Sequence, residues 1–193
     1  LHDALPICAE VIVARHHFLQ HLEKWAADLH YQISLNQEKL HLAYVTQVKV
    51  DDETTVDQAY HELLKQYTDN QEREIDQGTT MYGPQRDDIR FMVNGKNIQA
   101  FGSQGQQRTT ALSVKLAEID LMKEQTGEYP LLLLDDVLSE LDPVRQTHLL
   151  TAIQDKVQTF LTTTSLSDVA RQLIKEPTIF EIKHGTLNKE EAQ

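Results

Sequence analysis

Apolar residues recur at Val11, Ala14, Phe18, Leu22, Trp25, Leu29 and Ile33, a three-and-four spacing that marks one face of a long helix. Leu42, Tyr44, Val48 and Val50 alternate with polar neighbours, which predicts a strand within residues 40–50. A second helix follows, with Val56, Ala59, Tyr60, Leu63, Leu64 and Tyr67 facing inward and Gly78 as its stop. Its later part, residues 69–77, is highly polar and is expected to project into solvent.

The texture changes at Thr79. Ile89, Phe91 and Val93 alternate, Asn94-Gly95 supplies turn chemistry, and residues 98–101 return, so a hairpin is expected. A helix is then predicted from about Gln104 to Gln125 through Leu112, Leu116, Ile119 and Met122, ending at Gly127. The apolar run 131–134 reads as a strand buried on both faces of a sheet. Asp142-Pro143 opens another helix, Asp at the cap and Pro in the first turn, continued by Leu149, Leu150 and Ile153. Residues 159–163 suggest a further buried strand, Ser167 a cap for a short helix through Val169 and Leu173, and residues 178–183 a last strand. Strands alternating with helices imply an α/β second half.

The 193 residues suffice for one domain with a real core, or one domain and an appendage. No apolar run approaches the ~18 residues of a membrane span, and no basic segment followed by an apolar stretch marks a secretory signal. Cys8 is the single cysteine, which excludes an internal disulfide and fits a reducing compartment. A net charge of −12 argues against a surface that coats nucleic acid indiscriminately. Yet residues 79–117 hold five basic side chains, Arg86, Arg90, Lys96, Arg108 and Lys115, against Asp87 and Asp88 alone. A local basic strip and an ordinary mixed surface both fit that window.

Three motifs carry chemistry. Pro130-Leu-Leu-Leu-Leu-Asp-Asp136 places two carboxylates at the C-terminal edge of a strand, where open α/β sheets bind ligands. An Asp there can hold Mg²⁺, and a second acid beside it can orient or deprotonate water. Phe101-Gly-Ser-Gln-Gly-Gln-Gln107 opens a helix with glycines, a hydroxyl and free N–H groups, the elements of an anion site. Ser139-Glu-Leu-Asp142 lies between the two acids and the next helix. Taken singly, each also fits a bland reading: solvated acids, a glycine-rich turn, a helix cap. His17 and His21 stand at i,i+4 without a third ligand, His61-Glu62 lacks the second His of a zinc protease, and Trp25 is read as core.

In this order the motifs resemble those of the ATP-binding-cassette (ABC) ATPases: Ser103 to Gln106 is similar to the signature, residues 131–136 to Walker B, and residues 139–142 to the D-loop. Gly83-Pro-Gln-Arg-Asp-Asp88 ahead of the hairpin, with Ser-Gln-Gly-Gln and the tail Thr159-Phe-Leu-Thr-Thr-Thr-Ser-Leu166, narrows the resemblance to the RecF family, related to Rad- and SMC-type ATPases. The resemblance covers about residues 8–184 and is sharpest over 81–165. It implies an α/β fold, the C-terminal part of an ABC-type ATPase head with a preceding helical segment. Residues 1–78 would be a mostly helical, arm-like segment, its first seven residues unmatched; residues 79–193 would carry signature, Walker B and D-loop.

The resemblance further implies ATP and Mg²⁺ as cofactors, with Asp135 organising the metal and Asp136 acting on the hydrolytic water. Ser103, Gln104, Gly105 and Gln106 would approach the γ-phosphate across an ATP-dependent homodimer, with Asp142 near its seam. Such proteins act in the cytoplasm, at the nucleoid, binding DNA at single-strand/double-strand junctions with RecR, and with RecO and RecA in the same pathway. Three departures stand out. No Gly-x-x-x-x-Gly-Lys-Ser/Thr is present, Gly95-Lys96 being read as a hairpin turn, so the chain resembles a family member without its first half and is expected to be inactive alone, the complete protein being a weak ATPase. The first seven residues do not match. Asp136 and a threonine-rich run stand where many cassette ATPases have Glu and a switch His. Arg86 has two readings, reaching phosphate or pairing with Asp87 or Asp88. A non-catalytic assembly fragment and the head of another SMC-like ATPase remain alternatives.

Overall fold

The computed structural model describes residues 4–164, 173–175 and 177–189. They divide into two compact units, residues 1–129 and 130–193, so the break falls at Tyr129/Pro130, beyond the change of texture at Thr79. Each unit is described by itself.

The first unit is built on helix α1, Leu5–Ile33. It starts earlier than the apolar pattern indicates, with Pro6 in its first turn and Leu5 in the core, so residues 5–7 of the unmatched start extend the helix. The buried stripe is Leu5, Ala9, Ile12, Val13, Leu19, Leu22, Ala26, Leu29, His30 and Ile33. Phe18 and Ala14 of the expected face turn outward and Trp25 is only half-buried. The stripe shifts because α1 has two partners, α2 (Val56–Gln77) and α4 (Gln104–Thr126), which demand a wider apolar arc than one row of residues provides.

Helix α2 opens on a capping box: Thr55 Oγ1 accepts from Gln58 N at 3.2 Å and Gln58 Oε1 from Thr55 N at 2.8 Å. It ends at Gly78 in the left-handed conformation, φ 63°. Ala59 and Leu63 of α2 join Leu5, Ala9, Ile12, Val13 and Val48 in one buried cluster. Residues 69–77 are largely solvent-facing, as their polarity indicates.

Strand β1, Leu40–Val45, is shorter than the expected span; Val48 is buried from the loop beyond it. β1 pairs antiparallel with β2, Asp88–Val93, in the register Leu40 to Val93 through Val45 to Asp88. Asn94 and Gly95, both at positive φ, make the tight turn their sequence calls for. The return strand β3 is only Lys96–Asn97. Residues 98–101 are not strand but a single helical turn, α3 (Ile98–Phe101), because the Asn97 side chain caps it by accepting from Gln99 N at 2.9 Å.

The second unit pairs β4, Leu132–Asp135, in parallel with β5, Thr159–Thr162, with α5, Pro143–Ile153, between them in sequence. Among the described residues, Leu134, Leu138, Leu141, Leu149, Leu150 and Ile153 are its buried ones. The expectation that 131–134 is buried on both faces does not hold: Leu131 is 64% and Leu133 74% exposed. With two strands in the sheet among the described residues and one face covered, burial alternates along β4. Residues 180–189 form an antiparallel hairpin, β6 (Phe180–Lys183) and β7 (Thr186–Lys189), around His184-Gly185, both at positive φ. Only its first strand is foreseen in the sequence. The helix expected after Ser167 lies outside the described residues.

Candidate functional site

The acidic pair sits where β4 ends. Asp135 is the last residue of the strand, opposite Thr162 at the end of β5. Asp136 follows in the left-handed region, φ 51°, a conformation Asp tolerates better than most side chains. Its backbone N–H donates to Thr162 O at 3.1 Å and to Thr162 Oγ1 at 3.0 Å. The same Oγ1 donates its proton to Asp135 Oδ1. One threonine hydroxyl therefore ties both acidic residues: it accepts from the backbone of the second and donates to the carboxylate of the first. The chain then turns sharply, and both carboxylates remain exposed beyond the sheet edge.

The D-loop-like segment is a 3-10 turn, Val137–Glu140, whose Ser139 Oγ donates to Asp136 O at 2.8 Å. Gln146 of α5 reaches back and donates Nε2 to Leu138 O at 2.7 Å and Leu141 O at 3.0 Å, pinning the turn to the helix that follows. Asp142 caps α5: Oδ1 accepts from Val144 N at 3.1 Å and Arg145 N at 3.0 Å, with Pro143 at the first helical position. Such a cap contributes ~1 kcal/mol. Arg145 Nη1 lies 3.4 Å from Asp142 Oδ2, so the carboxylate is engaged within its own turn.

The signature-like segment belongs to the first unit. Ser103 is the N-cap of α4 in extended conformation, its Oγ accepting from Gln106 N at 3.2 Å while Gln106 Oε1 accepts from Ser103 N at 3.0 Å. The first intrahelical bond runs from Gln107 N to Ser103 O, so the amides of Gln104 and Gly105 precede the helical ladder at its positive end. Gly102 is required for the approach: a Cβ there would stand 2.6 Å from Ile98 O. Phe101 is 79% exposed beside it. Ser103, Gln104, Gly105 and Gln106 thus come together on one turn. Asp135 and Asp136 are adjacent at the end of β4 in the other unit, where Asp142 stands apart from them as the cap of α5.

The Gly83–Asp88 motif proves to be a structural strap. Gly83 has φ 113° and its missing Cβ leaves room for Tyr67 Oη, which donates to Tyr82 O at 2.6 Å. Arg86 does not pair with Asp87 or Asp88; its Nε donates to Thr80 O at 2.9 Å and its Nη2 to Thr79 Oγ1 at 2.7 Å. Asp87 is the buried acid, its side chain 2% exposed, held by Tyr44 Oη at 2.5 Å with Arg15 Nη1 at 3.9 Å. Burial, and then the Asp87 carboxylate itself, push the Tyr44 hydroxyl well above the usual tyrosine range, so it stays the donor. Arg15 also donates to Pro84 O at 2.8 Å, fastening the motif to α1.

Sequence reasoning missed Thr162, Gln146, Glu38 and His30. Thr162 left one signal, as part of the threonine run read by resemblance. The polar residues Gln106, Thr109, Thr110 and Ser113, at helical spacing on α4, were a second available signal. Among the described residues no group of three or more His, Cys, Asp or Glu side chains could hold a metal ion by itself, and His17, His21 and His61 are exposed. The donor set at β4, two carboxylates and a hydroxyl, consists of hard oxygen ligands. That suits Mg²⁺, which keeps several waters and shares its remaining positions with phosphate rather than requiring a protein cage. No described helix is long and apolar enough to cross a membrane.

No family model matches the chain. It is 80% identical over 185 residues to the DNA replication and repair protein RecF of Limosilactobacillus reuteri (strain DSM 20016), a match covering 96% of this chain and 50% of that protein. It is 71% identical over 182 residues to the RecF of Limosilactobacillus fermentum, covering 94% of the chain and 49% of that relative. The chain therefore spans about half the length of the curated relatives it matches. Among solved structures, that of the recombination mediator protein RecF-ATPrS in the RecFOR pathway superposes with a TM-score of 0.78 at 31% identity, over 97% of this chain and 48% of that one. A structure from work on ATP-driven dimerisation of SMC ATPases shares the fold, with a TM-score of 0.56 at 13% identity, over 96% of this chain and 89% of that one. The mixed α/β architecture is thus that of RecF and SMC-type ABC ATPase heads.

Proposed function

From a chain that is RecF-type in sequence over nearly all its length, we propose the signature, Walker B and D-loop portion of a RecF-like ATPase that binds DNA in recombinational repair. ATP, held between two copies, is the proposed source of their pairing, and hydrolysis the step that releases it. The partners proposed are a second copy of the protein, DNA at single-strand/double-strand junctions, and RecR, with RecO and RecA acting in the same pathway. The single observation carrying this reading is the Thr162 clamp, which holds Asp135 by its carboxylate and Asp136 by its backbone N–H at the end of a parallel strand, with both side chains exposed.

The roles follow from chemistry. Bound Mg²⁺ would neutralise phosphate charge and polarise the bond to be cut. Asp135, fixed by Thr162 through Oδ1, offers the carboxylate that holds the metal. Asp136 lies one residue on, past the end of the strand, and offers a carboxylate to orient water or take its proton. Ser103 and the amides of Gln104 and Gly105 form a helix start that favours anions, the face proposed to meet the γ-phosphate of the opposite copy. Gln106 has both ends of its side-chain amide bonded within the chain, so its proposed part is to hold that turn in shape. Asp142 would fix the turn at the dimer seam by capping α5.

Thr162 supplies a direct test. Thr162→Val keeps the shape but removes one bond to the Asp135 carboxylate and one to the Asp136 amide, and is expected to slow ATP turnover of the complete protein about tenfold, the scale of one lost hydrogen bond to a charged group. Thr162→Ser should restore it. Steady-state turnover equal in wild type and Thr162→Val would remove the clamp from the mechanism.

A further inference from the structure

Where the last turn of α1 meets the first half of α4, buried polar side chains lie between the helices. On α4, Gln106, Thr109, Thr110 and Ser113 stand at i, i+3, i+4 and i+7, one helix face, and Thr109, Thr110 and Ser113 are buried. From that face Gln106 Nε2 donates to Glu38 Oε1 at 2.8 Å. The other carboxylate oxygen of Glu38 lies 3.0 Å from Nε2 of His30, a residue of α1 that is fully buried. The second ring nitrogen of His30 lies 3.3 Å from Ser113 Oγ, which donates to Thr109 O at 2.8 Å, and Thr109 Oγ1 donates to Gly105 O at 2.8 Å. The circuit leaves the first turn of α4, passes through Glu38 and α1, and closes on α4 two turns later.

A primary amide is nearly symmetric in shape, and only its partners decide which end is oxygen. The Ser103 N–H is a donor and demands the oxygen of Gln106. That leaves the NH₂ group facing Glu38, whose carboxyl oxygen accepts from it. Glu38 is itself anchored, its backbone N–H donating to Ser34 Oγ at 3.2 Å and its side chain only 14% exposed.

We propose that Glu38, anchored by His30, is a positioning residue for the Ser103–Gln106 turn: it fixes the orientation of the Gln106 amide, so the setting of α1 against α4 governs the geometry of that helix start. The consequence for nucleotide-driven pairing rests on the function proposed above; the positioning itself does not.

The test compares Glu38→Lys with Glu38→Gln. Lysine presents only donors, so it turns the Gln106 amide and sets two N–H groups against each other at Ser103. Glutamine can still accept from Gln106 while donating to His30. Site-resolved amide hydrogen exchange on the chain is expected to show the Ser103 and Gln106 amides exchanging about five- to tenfold faster in Glu38→Lys, the loss of a hydrogen bond, with wild-type rates in Glu38→Gln. Exchange in the middle of α1 and α4 should change in neither, which separates a local opening from unfolding. Unchanged Ser103 and Gln106 exchange in Glu38→Lys overturns the proposal, as does equal loosening in Glu38→Gln. In the complete protein, ATP-dependent pairing should weaken about tenfold in Glu38→Lys alone. Loosened amides with undiminished pairing would leave Glu38 as a positioning residue and contradict the phosphate-contact reading instead.

Discussion

Replacing Asp136 by Asn in the complete protein is expected to lower ATP turnover by about 10²–10⁴-fold, the usual weight of a general base, with ATP-dependent pairing retained. The structure makes this substitution unusually clean. Asp136 stands at φ 51°, and Asn is the other side chain that accepts the left-handed region readily. The bonds holding the residue in place come from its backbone N–H to Thr162, and these do not depend on the carboxylate. Ser139 likewise bonds the Asp136 carbonyl. The substitution therefore removes a proton acceptor and one negative charge while the turn stays as it is. Turnover measured by phosphate release, alongside sedimentation with ATP, separates the two effects. Undiminished turnover would remove Asp136 from the chemistry.

Ser103→Asp is the second large effect, and it sets stability against function. Aspartate caps helices as well as serine does, and its charge complements the N-terminal dipole by ~0.3–1 kcal/mol. The Gln106 amide that Ser103 now serves would keep an acceptor. Thermal stability should hold or rise. The same charge, placed where a γ-phosphate is proposed to approach, should weaken ATP-dependent pairing by more than about tenfold. A bulkier Ser103→Arg should block pairing too, but with loss of the cap. Sedimentation and thermal melts read the two quantities independently. Pairing of wild-type strength in Ser103→Asp would contradict the cross-dimer role of this turn.

Legibility in the sequence followed locality. The cap at Asp142, the stops at Gly78 and Gly127, and the Asn94-Gly95 turn were readable because each depends on a few neighbouring residues. The exact face of α1 was not, since it is set by two packing partners distant in sequence, and this is why Phe18 points outward and Leu19 inward. Residues 98–101 look like a strand by composition, yet the Asn97 cap turns them into helix. The run 131–134 reads as doubly buried, but burial on both faces needs strands and helices on each side, and among the described residues β4 has a single partner strand.

At the site, the sequence showed which residues could act and could not show what holds them. Asp135 and Asp136 announce themselves by position, whereas the hydroxyl that ties them is 26 residues away from Asp136. Gln106 was read as a phosphate contact, but its amide is spent on Ser103 and Glu38, the latter 68 residues away. Arg86 offered two acids in sequence and uses neither, because the fold turns it toward Thr79 and Thr80.

As proposed, this chain supplies the acids and signature turn of an ATP site whose phosphate-binding loop lies on another segment. The most direct measurement is Mg²⁺-ATP turnover by this chain alone, by the phosphate-loop half alone, and by the two joined as one protein. Turnover only in the joined protein, abolished by Asp135→Ala, is the predicted result. Turnover by this chain alone, or a joined protein indifferent to Asp135→Ala, would contradict it.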